Sequence, residues 1–133
     1  MSTRQSTWDA RRNADYWPGN VRVGAWAFLF HRITGLALIF YLLLHVIVIS
    51  SVLMGGGSFD TVMSTLTTPF FLVVDLFLAL AVVYHGLNGI RLILFDLGVA
   101  VTAQAAVWWV VVAITAASWV WAWVRVWPHI VGK

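Results

Sequence analysis

Four histidines, His31, His45, His85 and His129, are the side chains best suited to holding a metal in this chain, which contains no cysteine. Without cysteine there is no disulfide, no thiolate metal site and no cysteine-held iron–sulfur cluster. A neutral imidazole is a common metal ligand and a common axial ligand of haem iron. His31, His45 and His85 fall inside long apolar stretches. One of these, VVYHGLNGIRLILFD at 82–96, also carries an asparagine, an arginine and an aspartate. Arg or Asp at the centre of a lipid-facing helix costs roughly 2.5–3.5 kcal/mol on insertion scales. Such residues need something other than lipid to face.

Helical geometry sorts them into stripes. His85, Gly89, Leu92 and Asp96 share one face of a helix, with Gly86 beside it. His31 and His45 are fourteen residues apart, which places them about 40° apart around a helix and about 21 Å apart along it. Gly35, Leu38 and Leu42 lie on the same side. A glycine one turn from an imidazole leaves room for a flat macrocycle, and cofactor sites in bundles draw ligands from facing helices. The same spacing also fits a histidine hydrogen-bonded to a neighbouring helix, with glycines that permit close packing. Spacing leaves both readings open for His85.

Arg32, next to His31 in FHRITG, is expected at the cytoplasmic edge of the membrane, where a long side chain reaches water. There it serves either as a topological anchor or as a donor to haem propionates or to a quinone carbonyl. Asp75 has no evident partner and receives no role.

The elements that position these residues follow from composition. The chain has 133 residues, 62% hydrophobic and 10% charged, against about half apolar and a quarter charged in soluble domains. This is an all-α integral membrane protein with membrane lipid as its surroundings. Three segments are long enough to span about 30 Å of hydrocarbon: 25–53, 69–95 and 101–127. A polar N-terminal arm, 1–24, precedes a three-helix domain, 25–133. The link 54–68, rich in Gly and Thr, reads as a loop with at most a short interfacial turn. The eight basic residues form no run, which argues against nucleic acid. Most lie in the arm or near the short link after span two, so the N-terminus is expected in the cytoplasm and the C-terminus outside. Trp119, Trp121, Trp123 and Trp127 read as an aromatic belt at the outer end of span three. No signal-peptide core follows the start, and Asp9 and Asp15 argue against an organellar presequence.

HRITG in span one, followed by YHGLNGIRLILFD at the end of span two, resembles the cytochrome b membrane-anchor subunit of succinate dehydrogenase (succinate:quinone oxidoreductase, complex II). The short bacterial type is the best match, over residues 25–127. The resemblance implies a three-helix anchor in the bacterial plasma membrane that forms a haem-binding bundle with a second small hydrophobic anchor subunit. A flavoprotein subunit and an iron–sulfur subunit would sit on its cytoplasmic face, and electrons would pass to a quinone. His85 would be an axial ligand of haem b, with the other ligand from the partner anchor. His31, Arg32 and Asp96 would lie near the propionates and the quinone, and Gly35, Gly86 and Gly89 would pack against haem. His45 would ligate a second haem, since di-haem relatives carry a histidine late in their first helix. Phe28 stands where some relatives place a quinone-binding serine, and Leu92 where a histidine often follows GIR. The quinone is accordingly expected to be menaquinone rather than ubiquinone. The chain alone would not oxidise succinate, having no flavin fingerprint or hydrophilic catalytic domain. The competing expectation is a cofactor-free structural anchor or transporter subunit.

Overall fold

The computed structural model describes residues 18–132, with side chains from residue 23 onward. Its elements are α1 (Pro18–Ser50), α2 (Gly56–Leu66), α3 (Pro69–Asp96) and α4 (Gln104–Ile130), with single 3-10 turns at Ser51–Met54 and Val101–Ala103. Most of the arm expected at 1–24 lies outside the described residues. Helix α1 starts ahead of the expected position 25, at Pro18, where a fixed φ suits the first helical turn. Pro69 plays the same part in α3, after an extended Thr68. Pro128 sits near the end of α4, where it removes one intrahelical bond just before the helix stops.

The 54–68 link differs from its expectation. It is not a loop but an eleven-residue helix, α2. Glycine and threonine are weak helix formers, yet Phe59, Val62 and Leu66 recur at helical spacing and form the half-buried face. Thr61 and Thr65 donate to carbonyls four residues back, Gly57 and Thr61, which satisfies their hydroxyls without leaving the helix. Gly55, at φ +106, makes the sharp break that α2 needs after α1.

Helix α3 ends in a Schellman motif. The Val99 N–H donates to Leu94 O at 2.8 Å and the Gly98 N–H to Phe95 O at 2.9 Å, with Gly98 left-handed at φ +75. Ala100 is also left-handed, at φ 59, a costly setting for a residue with a Cβ. Two left-handed residues in so short a link reverse the chain and set α4 antiparallel to α3.

Helix α3 is the middle element. On one side Trp108 Nε1 of α4 donates to Tyr84 Oη and Trp119 Nε1 to Leu76 O. On the other, Asn88 and His85 reach Ala27 and His31 of α1, so these two helices are antiparallel as well. Trp119 is therefore a packing residue that ties α4 to α3. Trp121 and Trp127 are exposed.

The interior is small and mixes Ala27, Leu76, Tyr84, Trp108 and Val111 with Asn88, Arg91 and Thr115. Outside, α1 alone exposes Phe28, Ile33, Leu36, Phe40 and many further apolar side chains. Polar groups inside and apolar groups outside invert the soluble pattern. Among the described residues, three helices are long and apolar enough to cross a membrane, Val23–Met54, Pro69–Asp96 and Val101–Ile130 counting their flanking turns. The protein is a multi-pass, all-α membrane protein.

Candidate functional site

Where α1 crosses α3, two histidines meet. The rings of His31 and His85 stack with centroids 4.0 Å apart and planes 9° from parallel. Small residues allow it, in a crossed arrangement. A Cβ built on Gly35 of α1 would come within 3.0 Å of His85 Cε1, and one on Gly89 of α3 within 3.8 Å of His31 Cε1. Gly35 thus makes room for His85, while at Gly89 a Cβ would sit in ordinary contact with His31.

The hydrogen bonds fix the tautomer of His85. Its Nδ1 lies 3.2 Å from Thr34 Oγ1 and 3.2 Å from His31 O. A carbonyl only accepts, and the Thr34 hydroxyl gives its own proton to Phe30 O at 2.8 Å. Nδ1 must therefore be the donor, and the lone pair of the neutral ring sits on Nε2. Nε2 has no hydrogen-bond partner among the described residues. This is the arrangement of metal-ligating histidines, one nitrogen held by an oxygen and the other available. Stacked on it, His31 presents a buried Nδ1 with no partner.

The other predicted residues are distributed as follows. His31 lies level with His85, stacked on its ring. Arg32 points away from the stack, exposed, with its guanidinium 5.2 Å from the Phe28 ring centroid. Asp96 is exposed at the end of α3, about 16 Å of helix from His85. Gly86 faces open space, with nothing within 4 Å of a Cβ built there. His45 is exposed, and its Nδ1 shares a proton with Tyr41 Oη at 3.2 Å. It does not join the pair.

A second polar group adjoins the histidines and was not picked out from the sequence as a unit. Ala27 O receives long bonds of 3.4 Å from both Tyr84 Oη and Asn88 Nδ2. Arg91 Nη1 donates to Asn88 Oδ1 at 3.2 Å, and its Cζ lies 4.6 Å from the Phe95 ring centroid. Arg91 is only 4% exposed, and its Nε has no partner. The signal was available: Tyr84, Asn88, Arg91 and Phe95 form a stripe at helical spacing beside that of His85. Among the described residues no three of His, Asp or Glu cluster to hold a metal. A metal here would therefore need ligands from elsewhere.

The family sequence model described as succinate dehydrogenase/fumarate reductase transmembrane subunit matches residues 10–124. The chain belongs to this family. Among curated relatives, this transmembrane subunit is similar to a succinate dehydrogenase hydrophobic membrane anchor subunit of Halobacterium salinarum. The two are 39% identical over 82 residues, 61% of this chain and 63% of that protein. It is also similar to a succinate dehydrogenase 2 membrane subunit of Mycobacterium tuberculosis, 36% identical over 73 residues, 55% of this chain and 54% of that protein. The matches thus span less than two thirds of either relative. As a transmembrane subunit of this family, the protein is a membrane anchor, in keeping with its three spans.

Proposed function

We propose that this subunit holds haem b through His85 and carries electrons from an iron–sulfur subunit to a quinone in a succinate:quinone oxidoreductase. The single observation behind this reading is His85 itself, with Nδ1–H held by α1 and Nε2 left as a lone-pair donor. The surroundings suit a flat group. Gly86 leaves open space next to the ligand, and the buried Nδ1 of His31 lacks a partner.

The pair cannot serve one iron from opposite sides. Face to face at 4.0 Å, the two rings are already in van der Waals contact, and no macrocycle fits between them. The ligand opposite His85 would come from a second small hydrophobic anchor subunit, seated on the exposed apolar face of α1 and α3. When bound, haem supplies a one-electron carrier within the membrane. This chain's contribution is to orient the ligand, exclude water with apolar helices and set the local field.

Arg32 offers its planar fork of donors on the outer face of α1, beside Phe28, where it would meet a propionate or a quinone carbonyl. His31 and Asp96 belong to the same end of the bundle, with Gly35 and Gly89 setting the closeness of α1 to α3. His45 holds a second haem in this proposal, and menaquinone is the quinone. A flavoprotein and an iron–sulfur protein dock at the end carrying the N-terminus and Asp96, in the cytoplasm. The anchor would lie in the plasma membrane of a bacterial cell.

The test is a reduced-minus-oxidised spectrum of the complex purified with its natural partners. Bands of b type are expected. Their absence would favour the cofactor-free anchor, in which His85 only bonds α3 to α1.

A further inference from the structure

We infer that Thr34 is a positioning residue for the haem ligand: beside the His31 carbonyl, which makes Nδ1 the donor, its hydroxyl accepts from Nδ1–H, fixes the ring plane of His85 and makes Nε2 a stronger donor. The inference rests on the proposal that His85 ligates haem. A threonine inside a helix ordinarily bonds the carbonyl four residues back and does nothing more. Thr115 is such a case, donating to Val111 O at 2.8 Å. Thr34 makes that bond too, to Phe30 O at 2.8 Å, and has a further partner on another helix.

The division of labour follows from counting. A hydroxyl has one proton and two lone pairs. With the proton on Phe30 O, a lone pair of Oγ1 is left for the Nδ1–H of His85 at 3.2 Å. The bond to Phe30 O also locks the side chain, so Oγ1 is held in place before any cofactor arrives. The alternative acceptor, His31 O at 3.2 Å, also lies 3.1 Å from Thr34 Oγ1 and carries the ordinary helical bond. Thr34 therefore supplies the less encumbered oxygen. Gly35, the next residue, gives the ring its space. Adjacent residues of α1 thus set both the position and the ring plane of His85.

An oxygen that accepts Nδ1–H raises the basicity of the ligating nitrogen, and loss of such a partner typically costs about 10–100-fold in metal affinity. A more basic imidazole favours oxidised over reduced iron. Removing the hydroxyl should therefore weaken haem retention and raise the haem potential.

The experiment uses the complex assembled with its partner subunits, carrying Thr34→Val, Thr34→Ser or Thr115→Val. Haem is measured by pyridine haemochrome, and the potential by a spectroscopic redox titration. Thr34→Val keeps the shape and loses the oxygen. Its reduced-to-oxidised ratio at fixed potential should rise about tenfold, or about 59 mV for one electron, with haem lost more readily on dilution. Thr34→Ser should titrate like the unaltered complex, and so should Thr115→Val. If Thr34→Val does not assemble, Thr34→Ala carries the same expectation in a smaller side chain. An unchanged titration and unchanged haem content in the oxygen-free variant overturn the role of Thr34 and leave His85 standing. An unaltered complex without b-type bands overturns both.

Discussion

A histidine is made into a ligand by what holds its other nitrogen. For His85, the proposed ligand, that holding is done by α1, through Thr34 Oγ1 and His31 O, and the space for it by Gly35. Two substitutions should therefore converge. His85→Ala removes the donor, and the assembled complex should lose most of its haem. Gly35→Leu keeps the donor but drives a side chain into a site where even a Cβ would lie 3.0 Å from the ring. It should lose haem to a similar extent, read by pyridine haemochrome against protein. Full haem in Gly35→Leu would mean that the ring is free to move. The stripe of His85 and Gly89 was legible in the sequence because α3 is one regular helix. The crossed pairing was not, because it depends on how far α1 is slid along α3, and helical periodicity carries no information on that offset. The same offset brings His31 level with His85.

At the scale of elements, α1, α3 and α4 are joined by polar bonds at a few points in an otherwise apolar interface. Interhelical hydrogen bonds in membranes average about 0.6 kcal/mol and reach about 1.7. Arg91 raises the stakes, since it is nearly buried and rests on Asn88 Oδ1 and the Phe95 ring. Leaving a buried charge without its partner costs more than removing the charge. Asn88→Leu, which strips the acceptor from Arg91 and the donor from Ala27 O, should therefore destabilise the bundle by about 2–4 kcal/mol. Arg91→Met should cost less than half as much. Unfolding in mixed detergent would rank the two, and a larger loss in Arg91→Met would show that the arginine has a stronger partner than Asn88. The three spans were legible from length and apolarity, which membranes impose strictly. Helix α2 was not, because local glycine and threonine preferences point to a loop while its apolar face becomes useful only against the bundle.

The whole molecule has a level structure that bears on how many haems the proposed function requires. With α1 and α3 antiparallel, the stack of His31 on His85 fixes one level. His45 lies fourteen residues further along α1, about 21 Å from that level in a core about 30 Å thick. A single haem cannot take both His45 and His85. Yet His45 has features of a ligand in its own right: an exposed ring, Nδ1 engaged by a tyrosine one turn back and Nε2 without a partner among the described residues. Lipid alone would be a poor neighbour for that nitrogen. Two haems, one at each level, would satisfy both histidines and would place the carriers in series across the membrane. The assembled complex should contain about two haems, and His45→Leu should leave about one, with the redox transition assigned to His85 unchanged. Tyr41→Phe should weaken the outer haem without emptying it, because the ring would lose its orienting bond and keep its donor. About one haem in the unaltered complex, undiminished in His45→Leu, would reduce His45 to a hydrogen-bonding partner of Tyr41 and leave the site at His85 as the whole of the redox machinery.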